Sequence, residues 1–425
     1  MRCADGTRLQ GSHLVICAGS RCDELRRTLG VEFGGHSFDD RFLICDIRTD
    51  LPGWATERRF YFDPEWNPGR QVLIHPCPGS TFRIDWQVPA GYDLDAEVAS
   101  GDLDTRIRAI IGDRGYEIVW KSVYRFHTRL VDRMRCGRIL LAGDAAHLVS
   151  PFGARGLNSG VADAENAAWK IAYVRNGWAP AALLETYHDE RHAAARENVA
   201  VTTATMDFLV PHDEAAAAHR RDVLSRAATE PAARALVDSG RLSEPFWYVD
   251  SPLTTPSPTR PFAGRPPRGS VPPAGPGVLV PDAPLHPAVS GYAGHGTRIH
   301  SRPPRRFREI ARDGFLLLTG GRTDTAAARD AAAAVPGPVQ VLGLDETGIA
   351  DTLGARPDEI WIVRPDAHVA AVLDDPAHDE IRAALARATH SGGEPPWPTT
   401  GESGTSRRSG TPSTAAPPAA STTRS

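Results

Sequence analysis

The chain has 425 residues, 48 Lys and Arg against 52 Asp and Glu, a net charge of −4, and 41% hydrophobic residues. That length suggests about two or three domains, and the apolar fraction supports sizeable cores and argues against global disorder. The balanced charge argues against a nucleic-acid partner: the basic residues are scattered Arg, with Lys only at Lys121 and Lys170.

No apolar run approaches the ~18 residues that a membrane span needs. The N-terminal segment has no apolar stretch of signal type. A soluble, cytoplasmic protein without a membrane partner is the expectation. The six cysteines end at Cys136 and none forms a CxxC pair, so they read as reduced thiols and not as a disulfide framework or a metal site.

In chain order, Leu9 to Ala18 reads as a strand broken by Gly19-Ser20, followed by a short helix from Cys22 to Leu29. From about residue 38 to 125 short strands alternate with Pro and Gly turns. The strands expected there are Phe42 to Ile47, Arg59 to Phe62, Val72 to His75 and Thr81 to Val88. In the last, Phe82, Ile84 and Trp86 alternate with Arg83, Asp85 and Gln87, a sheet with one apolar and one polar face. Asp93 to Gly112 reads as a helix.

Arg138 to Ala142 is a short buried strand. After a loop, Leu157, Val161, Ala164, Ala168 and Ile171 recur at helical spacing, one face of a helix ended by Asn176-Gly177. Another helix follows Pro180, and more helix is expected from Asp213 to Gly240. Residues 251–276 are rich in Pro, Ser, Thr and Gly and read as a semi-rigid linker. A small α/β unit fills 277–390. Its strands are Gly314 to Thr319, Val339 to Leu342, Ile360 to Val363 and Val369 to Leu373, with helices Asp324 to Val335 and His378 to Thr389. Residues 391–425 have no apolar anchor except Trp397 and read as a disordered tail.

The segment that carries chemistry runs from Arg138 to Ala172, RILLAGDAAHLVSPFGARGLNSGVADAENAAWKIA. A buried strand ends at Gly143, where the missing Cβ lets a ligand approach the backbone. Asp144 then offers a carboxylate at the carboxyl end of the strand, where α/β folds bind ligands. Pro151 and Gly153 shape the loop. Gly156, Leu157 and Asn158 begin a helix whose free N–H groups and positive dipole end suit an anion. A hydroxyl acceptor beside an anion-stabilising helix start suits a polyol joined to an electron-rich ring.

These residues resemble the FAD-dependent aromatic-ring monooxygenases of the para-hydroxybenzoate hydroxylase superfamily, and most of all the phenol hydroxylase and 3-(3-hydroxyphenyl)propionate hydroxylase branch. "LAGDAAH" is similar to the motif whose Asp holds the ribityl or ribose hydroxyls, which puts that role on Asp144, after Gly143. The following stretch implies Pro151 near the flavin ring, Gly153 in the same cofactor-binding loop, and the amides of Gly156, Leu157 and Asn158 on the N1–C2=O edge of the ring. Arg155 stands where the family more often has Gln; it is an added cation near the flavin or a group facing the pyrophosphate. Residues 62–89 resemble the sheet that covers the substrate, and 183–199 the helix after the flavin segment. "GFLLLTGG" and "DEIWIVRPDAHVAAVL" resemble the cysteine-free form of a thioredoxin-like domain.

The implied fold class is α/β (α+β). A partial FAD-binding Rossmann-like domain (1–250) carries an inserted substrate-binding β-sheet (38–125), and a thioredoxin-like α/β domain (277–390) follows. The implied activity is hydroxylation of a small phenolic compound with NAD(P)H and O2, through a flavin C4a-hydroperoxide, with FAD as cofactor and a homodimer left open. The family's opening GxGxxG unit is not found in this sequence, and Gly19-Ser20 stand where its Asp-Gly motif belongs. A late start, a split gene or a decayed remnant would each explain this, and the last two leave a non-catalytic protein or partner subunit as the alternative.

Weaker signals stay open. Arg83, Asp85 and Gln87 line a substrate pocket or form the wet side of a sheet. His147 is structural or a proton shuttle. His188 and His192 are four apart, but Asp189 follows the first His where the zincin motif has Glu, so no metal is expected. Trp169 reads as core.

Overall fold

The computed structural model describes residues 5–237, 243–266, 270–286 and 305–392. Along the chain, β1 (Leu14–Ile16) precedes α1 (Asp23–Thr28). There follow β2 (Phe33–Arg48), β3 (Arg59–Tyr61), β4 (Val72–Cys77) and β5 (Thr81–Val88). Next come α2 (Leu94–Ser100), α3 (Asp102–Ile111) and β6 (Glu117–Val131). The helix expected over 93–112 is two helices, because Gly101 turns left-handed at φ 85° and caps the first of them. Asp93 caps the start of α2, its carboxylate accepting from the Asp95 and Ala96 amides.

Strands β2 and β6 are far longer than the short strands expected, and β6 had no counterpart in the sequence reading. Its side chains are mostly exposed or half-buried, so it shows no apolar alternation. What holds it is a backbone ladder to β2 that runs from Phe33↔Val131 to Arg48↔Glu117. The inner face of this sheet buries Leu43, Cys45, Ile47, Ile74, Ile84 and Trp86 against Leu103, Ile107 and Ile111 of α3. The alternation in β5 therefore reads through to the observed core.

The chain then forms β7 (Arg135–Cys136), β8 (Ile139–Leu141) and β9 (His147–Leu148). Two long helices follow, α4 (Arg155–Arg175) and α5 (Glu185–Leu209). Then come α6 (Glu214–Ala227) and α7 (Pro231–Val237), divided where Pro231 cannot continue the first. Strand β1 lies parallel to β8, and β8 antiparallel to β7. The larger sheet has the order β3-β4-β5-β2-β6-β9. Strand β9 ties it to the segment after β8 through Arg129↔Leu148 and Leu130↔His147.

The C-terminal unit contains α8 (Phe307–Ile310), β10 (Phe315–Thr319), α9 (Thr325–Ala333) and β11 (Val339–Gly343). It continues with α10 (Leu344–Thr347), α11 (Ala350–Leu353), β12 (Glu359–Val363), β13 (Val369–Asp374) and α12 (His378–Ala388). The sheet order is β11-β10-β12-β13, with β10 parallel to β11 and antiparallel to β12. All four strands fall where the sequence places them.

The stretch read as a linker is packed against this unit. Thr255 N donates to Ala370 O and Gly277 N to Val369 O, both at 2.8 Å, and Leu253 is buried. One core joins the two halves: Trp169, Tyr173 and Leu183 pack with Phe315, Leu317, Ile360 and Ile362. The described residues between 5 and 392 therefore form one unit with a shared core, and not two bodies joined by a spacer. The tail beyond Gly392 lies outside the described residues.

Candidate functional site

Strand β8 delivers its last residue, Leu141, into a one-turn 3-10 helix at Gly143–Ala145. Gly143 adopts φ 59°, a conformation that an L side chain resists. Helix α4 passes directly behind this turn. A Cβ on Gly160 would lie 3.3 Å from the Gly143 Cα, so the close approach needs glycine on the helix. The Gly143 amide donates to Asp163 Oδ2 at 2.9 Å, which fastens the turn to the helix. Asp144 projects from this turn into solvent and makes no hydrogen bond within the described residues.

The loop that follows contains Pro151, exposed, then Phe152 and Gly153, both buried. Ala154, left-handed at φ 52°, is the N-cap of α4 and supplies no capping side chain. No acidic residue occupies the first turn. The first amides of α4, those of Gly156 and Leu157 among them, thus have no partner within the helix, Asn158 N–H being the first that can pair with Ala154 O, and no acidic side chain offsets the helix dipole. The Asn158 side chain is used locally, donating to Ala154 O at 2.7 Å and to Ser243 Oγ at 2.9 Å. A carboxylate acceptor at the turn and unpaired amides at the helix start are the group types that a polyol joined to an electron-rich ring edge would need.

Arg155 opens helix α4. Its guanidinium is turned into the fold, buried, and donates to Asn198 Oδ1 at 2.8 Å. The apolar stripe of α4 is corrected too. Leu157 is 82% exposed and Val161 59% exposed. The buried face is polar: Ser159, Asp163, Asn166 and Lys170 point inward, with Trp169 and Tyr173. These residues also recur at helical spacing, so the signal was present in the sequence. Charge on a buried face costs free energy unless it is paired, which is why apolar periodicity reads more easily.

The pairing is thorough. Asp163 Oδ2 also meets His147 Nε2 at 2.7 Å, and Asp163 Oδ1 accepts from Arg191 Nε at 2.7 Å. Burial pushes the Asp163 carboxyl up, but Arg191 and His147 more than offset it and leave it at about 2. His147 is thus enclosed beside a carboxylate and only 1% exposed. Deeper in, Lys170 Nζ lies 2.6 Å from Glu190 Oε2. Burial pushes Lys170 down to about 8, with Glu190 opposing that shift. Glu190 itself is held below the usual carboxylate range, since Arg364 and Lys170 outweigh its burial. The two shifts pull opposite ways on the pair, and the short contact with a second cation on Glu190 decides for an ionised pair.

The other wall is the outer face of the large sheet. Across β2 and β5, Phe42 pairs with Gln87, Ile44 with Asp85 and Asp46 with Arg83, so these residues share that face. Phe152, from the loop before α4, packs on the same face, with ring centres 5.9 Å from Phe42, 6.1 Å from Phe60 and 6.1 Å from Phe126. Arg83 is committed to Asp46 through two bonds of 2.7 and 2.8 Å. Gln87 bonds Asp40 at 2.6 Å and the Gln71 amide at 3.2 Å. Asp85 differs: its Oδ1 is buried with no hydrogen-bond partner, and burial pushes the carboxyl up to about 7, with Asp46 adding to this and Arg83 and Arg58 opposing it.

The remaining signals resolve simply. His188 Nδ1 accepts from Met134 N at 3.1 Å and His192 Nε2 lies 3.0 Å from Val131 O, so both rings serve the backbone. Among the described residues no cluster of His, Cys, Asp or Glu could hold a metal, and no helix is long and apolar enough to cross a membrane. Trp169 is core, and its indole also donates to Asp366 at 3.1 Å.

Two family models match this chain: an FAD binding domain over residues 3–202, and the aromatic-ring hydroxylase C-terminal domain over residues 276–391. Over these two stretches the chain is similar to the FAD-dependent aromatic-ring hydroxylases. It is 35% identical over 204 residues to a dialkyldecalin synthase of Streptomyces rugosporus, covering 47% of this chain and 43% of that one. It is 31% identical to a 3-(3-hydroxy-phenyl)propionate/3-hydroxycinnamic acid hydroxylase of Comamonas testosteroni, covering 52% and 37%. A rifampicin monooxygenase of Streptomyces venezuelae is 35% identical, with 48% and 43% covered. The chain thus spans less than half the length of these relatives.

Among solved structures, the flavin-dependent monooxygenase PieE in complex with FAD and substrate superposes with TM-score 0.70 at 23% identity, covering 89% of this chain and 70% of that one. A ternary complex of aklavinone-11 hydroxylase with FAD and aklavinone gives 0.62 at 24%, covering 89% and 68%. These structures establish the fold. The relatives are named as a synthase, a hydroxylase and a monooxygenase, so the similarity leaves the reaction to be argued from the site.

Proposed function

We propose that this chain provides the ribityl- and ring-binding side of an FAD-dependent monooxygenase that hydroxylates a small phenolic compound, using NAD(P)H and O2. The observation that carries the reading is the joining of two walls by one loop. Pro151, Phe152 and Gly153 lead into the uncapped start of α4, and Phe152 is seated in the aromatic face of the large sheet.

When bound, FAD would supply the electrons and the activation of O2. The protein's own contributions are positional and electrostatic. Asp144 accepts from the polyol hydroxyls, and the amides of Gly156, Leu157 and Asn158 stabilise negative charge at the ring edge. Phe42, Phe60, Phe126 and Phe152 exclude water and stack an aromatic substrate. Of the three polar residues on the sheet face, Asp85 is the one left to meet a substrate hydroxyl, since Arg83 and Gln87 are already engaged. The C-terminal unit supports the thioredoxin-like reading through its β-α-β, β-β-α order. It has no cysteine, so its role is packing.

Asp144→Ala tests the reading. Flavin affinity, followed by quenching of flavin fluorescence, is expected to fall by roughly 1.5–3 kcal/mol, the scale of a hydrogen bond to a charged group. The unfolding midpoint should not move, because Asp144 is exposed. Equal flavin binding by both proteins would remove Asp144 from the site. A wild-type chain that binds no flavin would favour the non-catalytic or partner-subunit reading.

A further inference from the structure

The Gly143 turn is fixed by more than helix α4. From Asp163 a continuous run of buried polar groups leads to the C-terminal unit. Arg191 receives the Asp163 carboxylate at Nε, and its Nη2 donates to Ser159 O and Oγ, both at 3.2 Å. Its Nη1 donates to the Tyr248 hydroxyl at 2.9 Å. The Tyr248 ring lies 4.4 Å from the His368 ring and 4.9 Å from the Arg364 guanidinium. Arg364 holds Glu190 with two bonds, 2.5 and 2.9 Å, and Asp366 Oδ2 at 2.7 Å. Residues Arg364 to His368 form the connection between β12 and β13. Asp163, Arg191, Tyr248, Glu190, Arg364 and Asp366 are all buried.

As a source of stability this arrangement is a poor choice. Each ion loses its hydration, and apolar residues of similar size would often hold the same space at no loss. Its geometry is better suited to placement: Asp163 Oδ2 takes a single backbone N–H, that of Gly143, directly before Asp144. Arg191 and His147 keep the carboxylate ionised and fix its rotamer from two sides. Tyr248 fixes Arg191, and the β12–β13 connection fixes Tyr248.

We infer that Asp163 is a positioning residue for the Asp144 turn, and that the β12–β13 connection of the C-terminal unit acts on that turn through Tyr248 and Arg191. The C-terminal unit is then a structural part of the cofactor site, without touching the cofactor. The connection to FAD rests on the proposed function; the coupling within the fold does not.

The test is backbone amide hydrogen exchange on the full chain without added flavin, comparing wild type with Asp163→Asn and Tyr248→Phe. Tyr248→Phe removes one hydroxyl and keeps the ring packing, so it serves where Asp163→Asn does not fold. The coupling predicts exchange at Gly143 to His147 at least tenfold faster in Asp163→Asn and severalfold faster in Tyr248→Phe, with β10 to β13 unchanged. In Tyr248→Phe, unchanged exchange at the turn overturns the inference, and so does a uniform rise across the chain, which marks general loosening. Flavin titration of the same proteins separates the two claims. Faster exchange at the turn in a chain that binds no flavin keeps the coupling and removes the cofactor reading.

Discussion

Helix α4 and the C-terminal sheet bury opposite kinds of surface. In β10, β12 and β13 most of the buried residues are apolar: Phe315 to Leu318, Ile360 to Val363 and Val369 to Val372 are all nearly inaccessible, and Thr319 and Glu359 at the strand ends are buried polar exceptions. In α4 the inward face carries Ser159, Asp163, Asn166 and Lys170, while Leu157 and Val161 look outward. The sheet shows the ordinary arrangement, in which removal of apolar area from water drives folding. The helix shows what a fold does where placement matters more than stability: its buried groups are paired, directional and costly.

The largest effect that separates the two regions is expected at Glu190. Glu190→Ala leaves Lys170 and Arg364 buried without the carboxylate that both now share. Loss of one partner in such a cluster costs about 3–5 kcal/mol, to be read from urea unfolding. A change below about 1 kcal/mol would mean that water reaches the cluster and that its charges are not truly buried. In the sheet, Leu317→Ala should cost about 2–5 kcal/mol through lost transfer energy and the cavity left behind. The two variants are expected to differ in salt response: the Glu190 loss reflects unpaired charge, and the Leu317 loss does not.

What the sequence revealed follows the same division. The four C-terminal strands and the alternating β5 were legible because apolar residues mark their faces directly. The Gly143-Asp144 turn and the start of α4 were legible as a motif, and the structure brings them together. Strand β6 was not, because its register is fixed by backbone bonds to β2 and not by apolar periodicity. The direction of Arg155 was not legible either. A cation in a cofactor-binding loop suggests a ligand, and only the position of Asn198 on the neighbouring helix shows that it points inward. The supposed linker failed for a related reason: a Pro-rich composition describes stiffness, but not the sheet edge that the segment meets.

A smaller effect concerns pH. Asp85 carries a folded-state pKa of about 7 against an ordinary 3.8, so between those values the folded chain holds a proton that the unfolded chain has released. Stability therefore falls as pH rises through that window and levels off above about 7. Asp85→Asn removes this slope. It should match wild type below about pH 4 and exceed it above about pH 7 by roughly 2–4 kcal/mol. Parallel stability curves for the two proteins would show that the carboxyl is solvated and ionised, and would weaken its assignment to a substrate hydroxyl.

The smallest effect is expected at Leu157, and it bears most directly on the contrast within α4. The side chain is 82% exposed and lies on the side of the helix opposite the ionic cluster. Leu157→Ser removes apolar surface that is already in water, so almost no transfer energy is lost on folding. Serine is a somewhat weaker helix former, a difference of a few tenths of a kcal/mol, and the backbone amide is kept. The unfolding free energy should stay within about 0.5 kcal/mol of wild type, the range of an ordinary surface substitution. A loss of about 2 kcal/mol would show that Leu157 is covered in solution. The apolar periodicity of α4 would then mark a second packing face, and the contrast with the C-terminal sheet would reduce to the ionic cluster alone.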